Sequence, residues 1–131
     1  IPAIKQALRN GLKEIRIIES SIGPLSTFGG KTPRVVHISP YGGTEQIIAV
    51  ASMVEDICVH LGFEKEKNVF KPHMTIGRVR EPKNSNALIN RINSLKYDNL
   101  SFYITSLSLM KSTLTPHGAI YEVLEQYDFI D

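Results

Sequence analysis

The stretch Phe70–Arg80, FKPHMTIGRVR, places a histidine and a threonine two residues apart in a short apolar run that follows a proline. Apolar and β-branched residues in a short run of this kind predict a β-strand. Side chains alternate between the two faces of a strand, so His73 and Thr75 are expected to share one face. Met74 and Ile76 are then expected on the opposite face, directed into the core.

The two polar side chains of this strand have complementary chemistry. An imidazole with an unperturbed pKa of about 6.5 exchanges a proton near neutral pH, so His73 is a candidate proton-transfer group. The hydroxyl of Thr75, held by a stiff β-branched side chain, can donate a hydrogen bond to a phosphoryl oxygen. The pattern indicates half of a phosphate site, although a half-exposed strand with one polar face shows the same spacing.

Composition limits the class of protein. The chain has 131 residues, of which 42% are hydrophobic and 21% charged, values typical of one globular domain, here residues 1–131. A net charge of +2 is too small to indicate duplex DNA binding by charge alone. No apolar stretch approaches the roughly 18 residues of a membrane span, so we expect a cytoplasmic protein.

Cysteine and histidine spacing bears on cofactors. The single cysteine, Cys58, excludes an internal disulfide framework and any cysteine-based zinc cluster. No histidines and carboxylates fall at metal-ligand spacing. We therefore predict no metal and no cofactor.

Hydrophobic periodicity predicts the element order α-β-β-α-β-α-β-β and an α+β fold with mainly antiparallel sheets. The predicted helices lie at about 2–14, at 44–62 and around Leu88, Ile92 and Leu95; the predicted strands lie in EIRIIESSIGPL, PRVVHIS, KPHMTIGRV, LSFYITSLSLMKS and AIYEVLEQYDF. Gly23 and Pro24 are expected to end the first strand in a turn. The segment TLTPHG is expected to form a hairpin of the longer loop type.

Two stretches together resemble a known family. FKPHMTIGRVR, followed further along by LMKSTLTPHGAIYEVLEQYDF, resembles the C-terminal half of the 2H phosphoesterase superfamily. Within that superfamily, the two stretches most resemble the bacterial and archaeal RNA 2',3'-cyclic phosphodiesterases, also called 2'-5' RNA ligases. It is strongest from Leu61 onward and weaker before Thr44. It implies a two-lobed, pseudo-symmetric fold in which two His-x-Thr motifs on facing strands flank one phosphate.

The resemblance also implies residue roles. HMTI corresponds to the second motif, so His73 would be the general base on the attacking water and Thr75 would bind a phosphate oxygen. It suggests Arg78 and Lys111 as substrate-binding residues, although a surface salt bridge and a solvent-exposed lysine are equally good interpretations. Strict alternation would put Arg78 on the face opposite His73, unless Gly77 allows a bulge.

The expected ligands are RNA ends or cyclic nucleotides. Hydrolysis of a 2',3'-cyclic phosphate would yield a 2'-phosphate, and the same site run backwards would join RNA ends. The alternative is a module of the same fold that binds RNA or a nucleotide without turnover.

The first motif of the family is not found where the resemblance would place it. It should precede the first helix, whereas the sequence starts Ile1-Pro2-Ala3 at that helix. We therefore expect an N-terminally truncated copy of a longer phosphoesterase. Whether this chain alone is active is left open. The incomplete lobe would leave a sheet edge unpaired, so two copies could pair over it. VHIS has the same spacing in His37 and Ser39, but it follows the first helix. We interpret His37 as a strand residue near a sheet edge or cleft, not as the missing catalytic histidine.

Overall fold

The computed structural model describes residues 1–81 and 83–131. Within them the elements are α1 (Pro2–Leu12), β1 (Ile18–Phe28), β2 (Val35–Tyr41), α2 (Thr44–His60), β3 (Met74–Arg78), α3 (Ser85–Ser94), β4 (Ser101–Ile104), β5 (Ser106–Thr115) and β6 (Gly118–Asp128). The β1–β2, β2–β3 and β5–β6 pairs are antiparallel. The predicted α+β class with mainly antiparallel sheet is confirmed.

The chain divides into two compact units. The first unit consists of Ile1–Ile18, Ile48–Val69 and Tyr103–Asp131. The second consists of Glu19–Ile47 and Phe70–Phe102.

The core of the first unit is built on α1. Leu8 and Leu12, one helical turn apart, are each 1% exposed and pack with Tyr127 of β6, which is 7% exposed. The Tyr127 hydroxyl donates a hydrogen bond to the Lys5 carbonyl at 2.9 Å, and burial raises the pKa of Tyr127. Partly buried apolar side chains complete the core: Ile4, Ile15, Val50, Met53, Val54, Ile57, Leu107 and Leu109. The apolar residues that repeat every three to four positions along α1 are therefore the ones that pack into the core.

The hairpin of the first unit differs from its sequence prediction in two ways. The predicted strand LSFYITSLSLMKS is divided into β4 and β5 at Thr105, whose carbonyl accepts a hydrogen bond from the Phe129 N–H. Strands β5 and β6 pair up to Thr115 and Gly118, so only two residues connect them. The prediction of a longer loop was wrong, because the strand pairing extends further toward the turn than the flanking apolar pattern indicates.

The second unit carries a sheet in the order β3-β2-β1-β4. The predicted turn at Gly23 and Pro24 was wrong, since β1 continues through both residues to Phe28. A register shift in the β1–β2 pair falls at these two residues, and such a bulge accommodates a proline that cannot donate a ladder hydrogen bond. A Cβ at Gly23 would lie 2.5 Å from the Ser39 carbonyl oxygen, and the Tyr97 hydroxyl donates to the Gly23 carbonyl at 2.8 Å. This stretch of β1 therefore approaches β2 more closely than a residue with a side chain would permit.

Candidate active site

The pairing of β2 with β3 gathers the polar residues of interest on one face of the sheet. His37 lies opposite Thr75, and directly opposed residues of an antiparallel pair share a face. His73, two residues before Thr75, directly precedes β3 and belongs to that face. On the other side of β2, Ser26 lies opposite His37, so Phe28 shares the face as well.

His73 is exposed and its ring is oriented by the backbone. Its Nδ1 lies 2.6 Å from the Lys71 carbonyl oxygen. A carbonyl oxygen only accepts hydrogen bonds, so Nδ1 must carry the proton, and the lone pair of the neutral ring is on Nε2. His73 is thus arranged to accept a proton at Nε2 from a group in solution.

Three aromatic rings, those of Phe28, His37 and His73, form what we call the three-ring cluster. Phe28 and His37 are stacked, with centroids 3.9 Å apart and an interplanar angle of 24°. His73 lies edge-on to both, 4.9 Å from Phe28 and 5.6 Å from His37. These separations describe a compact triangle, so His73 lies at the side of the stacked pair.

His37 is buried without a polar partner. Its side chain is 5% exposed, and neither ring nitrogen has a hydrogen-bond partner among the described residues. Burial lowers the pKa of His37 below 6.5, the charge of a protonated His73 lowers it further, and the Thr27 backbone acts more weakly in the opposite direction. The Thr27 backbone lies near the His37 ring but forms no hydrogen bond of normal geometry with either ring nitrogen. His37 is therefore neutral at neutral pH.

A bulge in β3 determines the face on which Arg78 lies. Val36 pairs with Gly77 and His37 pairs with Thr75, so Ile76 is an extra residue of β3 with no partner on β2. Alternation therefore restarts after Ile76, and Arg78 shares the face of Thr75. The bulge that would bring Arg78 to the His73 face is therefore present. The Arg78 side chain is exposed on that face.

The core side predicted for β3 was wrong. Met74 and Ile76 are each 54% exposed. β3 is the outermost strand of its sheet, and among the described residues nothing buries these two side chains. Alternation correctly separated Met74 from His73 and Thr75. Burial of the apolar face also requires a partner that packs against it.

Lys111 belongs to the first unit, whereas the residues described above belong to the second. It is exposed on β5, directly opposite Glu122. Opposite charges across an antiparallel pair are common on solvated hairpins, so this setting does not by itself indicate a ligand. The substrate-binding role of Lys111 stays a prediction.

Within residues 1–81 and 83–131, no group of three or more histidine, cysteine, aspartate or glutamate side chains is placed to hold a metal ion. Nor does any helix in that part have the length and apolar character needed to cross a membrane.

Comparison with protein families identifies the class. The model of the 2'-5' RNA ligase superfamily matches residues 1–115. The chain therefore belongs to this superfamily, as the resemblance of its two motif-bearing stretches predicted.

Relatives within the family carry one name. The RNA 2',3'-cyclic phosphodiesterase of Methanocaldococcus jannaschii is 35% identical, over 88% of this chain and 70% of the relative. The protein of that name from Aeropyrum pernix is 33% identical, over 70% of this chain and 53% of the relative. The one from Methanothermobacter thermautotrophicus is 29% identical, over 95% and 67% respectively. The alignments thus span between about half and 70% of these relatives.

Solved structures confirm the fold. A crystal structure from Thermus thermophilus superposes with a TM-score of 0.74 at 20% identity, covering 98% of this chain and 69% of the other. E. coli LigT in complex with 3'-AMP superposes with a TM-score of 0.71 at 15% identity, covering 99% and 68%. The chain has the LigT-like 2H phosphoesterase fold that the resemblance implied.

Sequence reasoning did not anticipate the three-ring cluster. His37 was interpreted as a strand residue near a sheet edge or cleft, and Phe28 was given no role. The signal was present in the equal spacing of VHIS and HMTI, since two such segments paired in register bring their histidines together. Pairing and register are tertiary facts that neither segment reveals alone.

Proposed function

We propose that the protein hydrolyses RNA or nucleoside 2',3'-cyclic phosphate ends to 2'-phosphates, with 2'-5' RNA ligation as the reverse reaction. Family membership and the name shared by the relatives support an enzyme of this kind. The observation that carries the proposal is the exposed His73 ring, with Nδ1 held by the Lys71 carbonyl and Nε2 left to accept a proton. We also propose that the protein acts in the cytoplasm.

The proposed first step is water activation by His73. Nε2 takes one proton from a water molecule as the water oxygen forms a bond to phosphorus. The bond between phosphorus and the 3' oxygen breaks in line with the attack. The products are a 2'-phosphate and a 3'-hydroxyl.

The leaving 3' oxygen needs a proton from a general acid. His37 is the other histidine of the second unit, but its ring nitrogens are buried and its neutral form is favoured, so it is a poor donor. We propose that a second histidine, of the kind carried by the first family motif, supplies this proton. His73 on this chain then supplies half of the acid-base pair.

The neighbouring residues are proposed to hold the phosphate. Thr75 shares the face of His73, and its hydroxyl would donate to a phosphate oxygen. Arg78 reaches the same face through the bulge and would add a charge-assisted contact to phosphate or RNA. Lys111, on the exposed hairpin, is proposed as a further contact to the RNA backbone. E. coli LigT was crystallised with 3'-AMP and with phosphate, which supports a nucleotide or phosphate ligand here.

The test is hydrolysis of a nucleoside 2',3'-cyclic phosphate without added metal, with the product isomer identified by ³¹P NMR. Two forms of the protein are compared: residues 1–131 alone, and the same residues extended upstream by a segment that carries a His-x-Thr motif. We expect the 2'-phosphate, formed faster by the extended protein. His73→Ala should lower the rate by a factor of about 10² to 10⁴, because it removes the general base. His117→Ala is the matched control, since His117 is an exposed turn histidine in the first unit.

The results separate the alternatives. A 3'-phosphate product, or turnover unchanged by His73→Ala, would contradict the proposed mechanism. Binding of the nucleotide by the extended protein without any hydrolysis would instead favour the non-catalytic binding module.

A further inference from the structure

The three-ring cluster holds a side chain that the proposed reaction does not use. His37 is buried, and both of its ring nitrogens lack partners in the described part of the chain. An unpaired buried polar atom carries a free-energy cost that an apolar residue would avoid. A phenylalanine would fill a flat space beside Phe28 without that cost, so the nitrogens do not account for a ring at this position.

The explanation lies in what the buried ring contacts. The His37 ring is stacked on Phe28, and the pair presents its side to His73 at centroid separations of 4.9 and 5.6 Å. On β2 and β3, His37 is the direct cross-strand partner of Thr75, the proposed phosphate ligand. His37 therefore packs beside both residues of the His-x-Thr pair.

The His73 ring has only one polar anchor among the described residues. Its Nδ1 is fixed by the Lys71 carbonyl, a contact that a single ring rotation would break. His73 precedes β3 and is exposed, so neighbouring strands do not enclose it. The stacked pair is the surface beside which this exposed ring lies.

We propose that His37 is a positioning residue for His73: with Phe28 it forms a stacked aromatic wall whose ring edges hold the His73 ring in the orientation that leaves Nε2 free. The inference rests on the proposed function for its catalytic consequence, but the positioning itself does not require turnover. What the wall uses is the planar ring of His37, and its nitrogens contribute only a cost in stability.

The charge state of His37 fits this role. Burial and the nearby His73 both favour its neutral form, so the wall carries no charge. A charged wall would oppose protonation of His73 at the moment when it takes the proton from water. A neutral ring supports His73 in both of its protonation states.

The test compares His37→Phe with His37→Leu. Both variants remove the nitrogens and keep a large apolar side chain, but only phenylalanine is flat. Long-range ¹H–¹⁵N spectra of histidine-labelled protein report which ring nitrogen of His73 is protonated. The exposed His60 and His117 serve as internal references.

We expect wild type and His37→Phe to show the neutral His73 ring as the single Nδ1–H tautomer. In His37→Leu the Nε2–H tautomer should appear beside it. In the cyclic phosphate assay, His37→Leu should lower kcat by about tenfold to a hundredfold with KM changed less than about twofold, as expected for a misoriented base. His37→Phe should restore kcat.

Two results would overturn the inference. One is a His73 tautomer in His37→Leu that matches wild type. The other is His37→Phe behaving like His37→Leu, which would show that the nitrogens, not the ring, are what His73 needs. If the wild type shows no turnover but the His73 tautomer still changes with the residue at position 37, the proposed function is refuted and the positioning role stands.

A second position keeps the test decisive if His37→Leu does not fold. Phe28→Leu removes the other ring of the stack and leaves His37 in place, with Phe28→Tyr as its matched control. The Nε2–H tautomer should again appear only in the leucine variant. A folded Phe28→Leu with wild-type His73 spectra would contradict the wall.

Discussion

Strand β2 and the segment that leads into β3 each carry a histidine two residues before a hydroxyl side chain, and the two histidines have opposite environments. His73 is exposed, and a backbone carbonyl fixes its tautomer. His37 is buried between strands, and its nitrogens have no partner in the described chain. The difference follows from position in the sheet, because β2 has neighbours on both sides and β3 on one. The same spacing therefore gives a candidate base on an outer strand and an aromatic wall on an inner one.

On the exposed side, the largest effect on ligand binding is expected from Thr75→Val. The variant keeps the β-branched shape and removes the proposed donor to phosphate, so binding of a nucleoside 2'-phosphate should weaken by about 1.5–3 kcal/mol, the usual value of a hydrogen bond to a charged group. Competition in the hydrolysis assay or calorimetry measures it. Thr113→Val, at an exposed threonine of β5, should leave binding unchanged. Equal affinity in Thr75→Val and wild type would remove Thr75 from the phosphate site.

The buried side should be more sensitive to strand spacing than the exposed side. Gly23→Ala would place a Cβ 2.5 Å from the Ser39 carbonyl oxygen on β2, which should cost about 1–3 kcal/mol of unfolding free energy. Gly77→Ala, on β3, meets nothing within 4 Å and should change stability by less than about 0.5 kcal/mol. Urea unfolding measures both. Similar losses in the two variants would mean that β2 and β3 are equally constrained.

The stability of the folded chain should fall in acid because of the buried His37. The folded-state pKa of His37 is lowered below its ordinary 6.5, so the unfolded chain binds this proton more readily than the folded chain. Its contribution is fully present above about pH 6.5 and is lost as the pH falls through 6.5 toward the folded-state pKa.

Unfolding free energy measured from pH 7.5 to pH 5 tests this dependence. His37→Phe should be more stable than wild type and should lose less stability on acidification. His117→Asn, at an exposed turn, should keep the wild-type dependence. A wild-type dependence in His37→Phe would show that another group causes it.

The smallest effect is expected at Arg78. Its side chain is exposed on the His73 face, so Arg78→Gln should weaken nucleotide binding by about 1 kcal/mol or less, and the loss should diminish at high salt. Arg80→Gln, beyond the end of β3, is the control. If both variants weaken binding equally, the bulge does not direct Arg78 to the ligand.

Local patterns predicted the elements well, for identifiable reasons. The helical stripe through Leu8 and Leu12 and the long helix ending near Gly62 depend on interactions within a few residues. Gly62 has φ +101°, and the Phe63 N–H donates to the Cys58 carbonyl, which closes that helix as the sequence predicted. His73 and Thr75 were singled out by chemistry and resemblance, and the structure places them on one face.

What the sequence did not reveal depends on pairing between strands. Pro24 was expected to end a strand because a bulge opposite β2 cannot be inferred from one strand alone. The face of Arg78 depends on a one-residue slip against β2. The contact between His37 and His73 depends on the same register, and the exposure of Met74 depends on what packs beside the sheet.

The outer position of β3 has a consequence for how the protein loses function. An edge strand shares hydrogen bonds with one neighbour, so it can detach at a lower free energy than the whole unit needs to unfold. Hydrogen exchange should therefore be faster in β3 than in β2, and catalytic competence should disappear at denaturant concentrations where circular dichroism still reports a folded chain. The strand that carries Thr75 would then lose its protection before the strand beside it.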